Sequence, residues 1–261
     1  MSEILEFDDG VSRMIEASYT IPGFVRRRAE ILGLLSPRTG ESILDLGCGP
    51  GFLSADLAAA VGPNGQVAAL DASESMLGLA RRRCEDQPWV KVGKADVCEI
   101  PYPDVSFDRA ACVQVYEYVR DIEAALREMH RVLKPGGRFV VVDTDWRSLV
   151  WNNSDQERMA RVLAAWDEHL VHPALPGVLH SLLGATGFRV AQDEVYVLHD
   201  PVFDPNTFGA FAIGAISMFV AGRDRVTGEE ATAWAEDLMA LGREGRYFFS
   251  LNQYMVVAEK V

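Results

Sequence analysis

The sequence predicts an α/β fold built on a doubly wound, mostly parallel sheet. Three observations carry this expectation. From residue 42 onward, short apolar runs of strand length alternate with segments of helical period. The stretch "ILDLGCGPGFL" puts a glycine-rich turn between the first such strand and its helix. Asp45, Asp71 and Asp96 close successive predicted strands at spacings of 26 and 25 residues, about one βα unit each.

The elements follow in order. Residues 10–35 read as one or two amphipathic helices, interrupted at Pro22-Gly23 and closed by "SPRTG". Then come strand 42–47, helix 52–62, strand 66–71, helix 73–86 with Ser73 as N-cap, and strand 90–96. Strand 107–115 precedes helix 121–133, which "KPGG" at 134–137 is expected to cap before strand 137–143. Beyond Asp145 the alternation is lost. A helical block at 155–170, the segment 176–188, a strand at 189–199, an apolar segment at 203–221, a helix at 228–245 and a last strand at 247–260 complete the chain. With no internal repeat or linker, 1–261 is expected to be a single domain.

Composition narrows the function. The formal net charge of -13, from 25 basic and 38 acidic residues among 261, opposes the counterion-release attraction that nucleic-acid and anionic-membrane binders use. Neither partner is expected. The longest apolar stretch, 208–220, is well short of the roughly 20 residues that span a bilayer. "MSEILEFDDG" has no basic region followed by an apolar one, so no signal peptide and a cytoplasmic location are expected. The four cysteines form no CxxC and read as free, mostly buried thiols, with no metal site. The arginine triplets 26–28 and 81–83 are expected on solvated helix faces.

The loop itself is informative. A dinucleotide fingerprint requires a third glycine where this chain has Phe52, and Asp45 would repel a pyrophosphate while attracting an ammonium group. Asp71 is placed to grip ribose hydroxyls, and Asp96 to accept from the exocyclic amine of adenine. Amino group, ribose and adenine together describe S-adenosylmethionine.

Through "ILDLGCGPG", "ALDASESMLGLARRR", "KADVCEIPYPDVSFDRAACVQVYEYVRD" and "ALREMHRVLKPGGRFVVVD", the chain resembles class I S-adenosylmethionine-dependent methyltransferases. Within them it is similar to the small-molecule group related to ubiquinone/menaquinone C-methyltransferases. The resemblance implies a Rossmann-like, seven-stranded, mostly parallel sheet with an antiparallel last strand lying between strands 5 and 6. It implies N-terminal cap helices at 1–40, a cofactor-binding core at 41–145, a mostly substrate-covering lid at 146–228 and a final helix and strand at 229–261. Gly47, Gly49 and Gly51 would line the methionine part of the cofactor, with Asp45 toward its amino group. Asp71 would hold the ribose, Ala72 and Met76 would pack near ribose and adenine, and Asp96 and Val97 would meet the adenine amine. Val113 and Gln114 would touch the methionyl portion, and Tyr19 would close over its carboxylate.

The expected reaction is methyl transfer to a small, largely apolar or aromatic acceptor by O-, N- or C-methylation. Tyr116, Glu117, His169 and His172 are the candidates for proton removal. Trp146, Phe208, Phe211 and Met218 are the candidate walls of the acceptor pocket. A monomer or homodimer is expected. The alternatives are a module that binds S-adenosylmethionine or S-adenosylhomocysteine without turnover, an arsenite methyltransferase, or a protein methyltransferase. No cysteine follows residue 112 to hold a metalloid, and "VQVYEY" lacks the Asn/Asp-Pro-Pro-Tyr of amide methylation.

Overall fold

The computed structural model describes residues 9–261 except Asp224, with side chains from Met14 onward. Residues 1–8, and the reading of a missing signal peptide drawn from them, lie outside the described residues.

Two helices open the chain, α1 (Asp9–Ser18) and α2 (Pro22–Leu35), and Pro22 starts the second where its missing N–H costs nothing. Next come β1 (Ser42–Leu46), α3 (Phe52–Val61), β2 (Gln66–Asp71), α4 (Glu74–Arg83), β3 (Val90–Lys94) and β4 (Phe107–Val113). A 3-10 turn at Tyr116–Tyr118 leads to α5 (Ile122–Val132) and β5 (Leu133–Trp151). The remaining elements are α6 (Gln156–Asp167), α7 (Pro176–Ala185), β6 (Phe188–Asp200), α8 (Phe208–Val220), α9 (Gly228–Arg243) and β7 (Phe249–Lys260).

The seven strands form one sheet in the order β3-β2-β1-β4-β5-β7-β6. The first five pair in parallel, and β7 runs antiparallel to both β5 and β6. The last strand therefore lies between strands 5 and 6, as the resemblance implied. Strands β1, β2 and β4 are buried along nearly their whole length, which is why they read as unbroken apolar runs rather than alternations.

Local chemistry sets the helix starts. Ser73 accepts from the Met76 amide at the head of α4, and Asp121 accepts from the Ala124 amide at 2.8 Å at the head of α5. Such caps contribute about 1 kcal/mol each. The apolar segment 203–221 resolves into α8, capped by Thr207.

Three expectations are corrected. Helix α5 ends at Leu133 with extended backbone, so the "KPGG" glycines do not cap it; Gly136, at φ 72°, turns the chain within the strand that follows. Strand β3 stops at Lys94, and Asp96 lies in the turn beyond, bridged to Glu99. Arg27 is 2% exposed rather than solvated, because residues 24, 27, 31, 34 and 35 form the buried stripe of α2.

Two apolar bodies flank this sheet at different heights. The cores on either face of β1, β4 and β5 are built from residues such as Leu44, Phe139 and Leu126 on one side and Ile43, Leu57 and Val140 on the other. A separate cluster joins α6, α8, α9 and the far ends of β5 and β7 through Trp151, Trp234, Phe208 and Phe249. Among the described residues, no helix is long and apolar enough to cross a membrane.

Candidate functional site

At the carboxyl edge of β1 and β2, Asp45 and Asp71 stand on neighbouring strands around the glycine loop. Asp45 is buried, and its Oδ2 accepts from the Ser54 hydroxyl of α3 at 2.5 Å. Burial pushes its carboxyl up to about 7, Ser54 opposing and the Asp71 charge adding to the rise. Asp71 accepts from the Gly49 amide through Oδ2 and from the Ser73 amide through Oδ1, both at 2.8 Å. Burial raises its carboxyl as well, against those amide bonds.

The loop between them is stitched to the protein. The amides of Gly47 and Cys48 donate to the Leu70 carbonyl at 2.7 and 2.9 Å, and the Gly51 amide donates to the Cys48 carbonyl at 3.0 Å. With Gly49 committed to Asp71 and Pro50 lacking an N–H, every amide from 47 to 51 is already donated. This loop has no free amide nest for a phosphate, unlike the phosphate cradles it resembles in composition. Glycine is required twice for space as well as for positive φ. A Cβ on Gly47 (φ 74°) would lie 2.1 Å from Val115 Cγ2, and one on Gly51 (φ 81°) would lie 2.8 Å from the Ala80 backbone.

Tyr19 closes over this loop from the end of α1, its hydroxyl next to Gly49 and its ring stacked on Phe52 at 5.5 Å. Met76 is buried on α4, while Ala72 is exposed. Asp96 is exposed and accepts from the Cys98 amide at 2.8 Å; Val97 packs against the core beside it.

Across the sheet, beyond β4, a second polar group forms. Val113 ends the strand, and Gln114 follows at φ 55°, its amide donating to the Val142 carbonyl. Its Oε1 accepts from Arg27 Nη1 at 2.5 Å, and its Nε2 donates to the Thr144 hydroxyl at 3.1 Å. Gln253 of β7 repeats the pattern, accepting from the same Nη1 at 3.0 Å and donating to Thr144 at 2.9 Å. Arg27, Thr144 and Gln253 were missed by sequence reasoning, although two signals existed. Arg27 falls on the apolar period of α2, and Gln253 falls on the apolar alternation Leu251, Met255, Val257.

The candidate proton acceptors fare differently. Tyr116 is corrected: it is fully buried in the core, edge-on to Phe139, and burial holds its hydroxyl well above the usual phenol range. Glu117 is also buried; its Oε2 accepts from Trp146 Nε1 at 3.0 Å, and its carbonyl accepts the Val171 and His172 amides at 3.0 Å each. Burial raises the carboxyls of both Glu117 and neighbouring Asp143, another residue the sequence reading missed. His169 sits within ring contact of Trp146, Trp166, Phe219 and Tyr118, with Nδ1 against the Trp166 carbonyl. Burial lowers its ring to about 4, which leaves it uncharged near neutrality. His172 directs Nε2 at the Val119 carbonyl, 3.1 Å away. The two histidines thus pin the segment after α6 onto the 3-10 turn.

Of the expected pocket walls, Trp146 joins this box, Phe208 packs over α2 through Phe24, and Phe211 stands against Phe208. Met218 is corrected. It is 56% exposed and lines an outer groove of about 360 Å³ between α8 and α9, with Phe203, Ile213 and Met239. Among the described residues, no group of three His, Cys, Asp or Glu is placed to hold a metal.

Comparison with known proteins bears on the family and the fold. Residues 44–141 match a family model described as "Methyltransferase domain". The "Uncharacterized 37.1 kDa protein in transposon TN4556" of Streptomyces fradiae is 35% identical over 242 residues, 89% of this chain and 66% of that protein. A demethylmenaquinone methyltransferase of Listeria welshimeri is 37% identical over 122 residues, 46% of this chain and 52% of that protein. The chain thus spans half to two-thirds of the length of these relatives. Phosphoethanolamine N-methyltransferase 2 of Haemonchus contortus, solved with S-adenosyl-L-methionine, superposes with a TM-score of 0.65 at 19% identity, over 98% of this chain and 58% of that one, a likeness of fold.

Proposed function

Because this chain belongs to the class I S-adenosylmethionine-dependent methyltransferases, we propose that it transfers a methyl group to a small, largely apolar or aromatic acceptor. One observation carries the reading: the glycine loop spends all its amides internally and is flanked by the buried Asp45 and the half-buried Asp71, so it favours a cationic ligand without phosphate. S-adenosylmethionine, with its ammonium group and uncharged ribose, meets both conditions.

In this reading Asp45 faces the ammonium group, and Asp71, which already accepts from the amides of Gly49, Ser73 and Ala72, uses its remaining acceptor capacity on the ribose hydroxyls. Gly47, Gly49 and Gly51 let the backbone approach the methionyl chain, with Val113 and Gln114 on its far side and Tyr19 over its carboxylate. Ala72, Met76, Asp96 and Val97 border ribose and adenine. Bound there, the cofactor supplies an electrophilic methyl whose bond to sulfur breaks as the acceptor's bond forms, the electron pair leaving on sulfur.

The protein's own contribution is placement and exclusion of water. Trp146, Phe208 and Phe211 supply apolar surface, and Glu117, a buried carboxyl held by Trp146, is the candidate to receive an acceptor proton. His169 and His172 each turn one ring nitrogen to a main-chain carbonyl, which orients the ring and leaves the other nitrogen as the candidate proton acceptor, the burial of His169 making its ring the weaker base. Similarity to a demethylmenaquinone methyltransferase supports a phenol- or quinol-like acceptor.

Calorimetry tests the cofactor assignment. Asp71→Ala is expected to weaken S-adenosylmethionine at least about ten-fold, or about 1.4 kcal/mol. Unchanged affinity in a variant with wild-type circular dichroism overturns the assignment. Release of S-adenosylhomocysteine across a panel of phenols and quinols then tests turnover.

A further inference from the structure

The carboxyl edge of the sheet is divided by charge. Asp71 and Asp45 stand over β2 and β1, and the Arg27 guanidinium stands over β4, β5 and β7 between Gln114, Thr144 and Gln253. Tyr19 lies between the two halves, feeling Arg27 from one direction and Asp71 and Asp45 from the other.

Arg27 is an unusual group to bury. No carboxylate lies within ion-pair distance of it among the described residues, although sixteen other ion pairs are present. Its charge is solvated by two amide oxygens and by the Phe24 ring, 4.2 Å from the guanidinium carbon, and its Nε is buried without a hydrogen-bond partner. A desolvated cation with an unused donor is expensive to hold. Glu117 offsets the charge only in part and from beyond ion-pair distance, because burial raises its carboxyl and that of Asp143. The guanidinium is itself lowered to about 10, chiefly by desolvation.

We propose that Arg27 is an anion anchor in the acceptor half of the site, and that the acceptor therefore presents an oxyanion, a phenolate or enolate, to its free Nε edge. The inference rests on the methyltransferase reading for the word acceptor, but the anion site stands on its own geometry. An oxyanion there would be stabilised against its neutral form in a low-dielectric setting, lowering its pKa without a dedicated base. It would also lie between two cations, Arg27 and the sulfonium, which repel each other unless negative charge separates them.

The test uses a chromogenic nitrophenol and its methyl ether as probes on the full chain, with and without saturating S-adenosylhomocysteine. The bound phenol is expected to ionise at least about one pH unit lower than the free phenol, and to bind at least about ten-fold tighter than the ether. Arg27→Met should abolish both effects and Arg27→Lys should restore part of them, with S-adenosylhomocysteine affinity changed less than about three-fold in either variant. Equal binding of phenol and ether to the wild-type protein, or binding of neither, overturns the proposal whatever the variants do. A ten-fold loss of S-adenosylhomocysteine affinity in Arg27→Met with the phenol preference intact assigns Arg27 to the cofactor's carboxylate and also overturns it. If instead the wild-type protein prefers the phenolate but ignores S-adenosylhomocysteine, the anion anchor stands and the methyltransferase reading falls.

Discussion

Asp45 answers two opposed demands, one from the empty protein and one from the ligand. Its carboxyl is raised to about 7 by burial, against about 4 in an unfolded chain. The folded state therefore binds a proton that the unfolded state releases. Its contribution to stability is complete below about pH 4 and is lost as pH rises through about 7. Between about pH 5 and about pH 8 the melting temperature of the cofactor-free protein is expected to fall more steeply for wild type than for Asp45→Asn. Parallel slopes would show that Asp45 does not carry this proton. The other buried acids slope the same way, so the difference between variants is the readout. An ammonium ligand favours the ionised form, so S-adenosylmethionine affinity is expected to rise over the same window in wild type and to stay flat in Asp45→Asn.

Among the elements, α1 and the turn after it cover the glycine loop through Tyr19. Phe52 occupies the position where a dinucleotide loop would have its third glycine, and here it serves as a platform. Tyr19 stacks on it at 9° to its plane, and the guanidiniums of Arg83 and Arg28 lie 3.3 and 4.9 Å from its ring centre. Arg83 also pairs with Glu16 at 2.5 Å, and Arg28 donates to the Tyr19 carbonyl at 2.7 Å. Aromatic and cation-π contacts of this kind contribute about 0.5–2 kcal/mol each. Phe52→Ala is therefore expected to speed hydrogen exchange across residues 14–21 and to weaken S-adenosylmethionine by about ten-fold, read by mass spectrometry and calorimetry. Unchanged exchange in that segment would show that the clamp is held elsewhere. The sequence revealed the absence of the glycine but not this use of its replacement, because Tyr19, Phe52 and Arg83 meet only when α1 lies across the ends of α3 and α4.

At the scale of the molecule, β5 and β7 run through both apolar bodies. Their lower halves, Phe139 and Val257 among them, belong to the cofactor-half cores, and Trp151 and Phe249 at their far ends belong to the lid cluster. We expect the chain to unfold as a single unit for that reason. Urea transitions followed by tryptophan fluorescence, dominated by Trp146, Trp151, Trp166 and Trp234 of the α6, α8 and α9 cluster, should coincide with those followed by far-ultraviolet circular dichroism. Two separated midpoints would show that the lid is an independent domain.

What the sequence determined by itself is the part of the protein that local pattern can encode. Period and turn residues specify the alternating strands and helices, and the spacing of Asp45 and Asp71 places two acids at neighbouring strand ends, since each strand end is set by its own few residues. What only the tertiary structure decided is the chemistry of the other half. Arg27 and Gln253 occupy positions where the pattern calls for apolar residues, and they are separated by 226 positions in the chain. Only when α2 crosses the sheet beside β7 do they meet Gln114 and Thr144, and burial then turns an ordinary arginine into a desolvated, unpaired cation. The same burial withdrew Tyr116 into the core, and the outward face of α8 took Met218 to the surface, because the direction of a side chain depends on which layer covers its element.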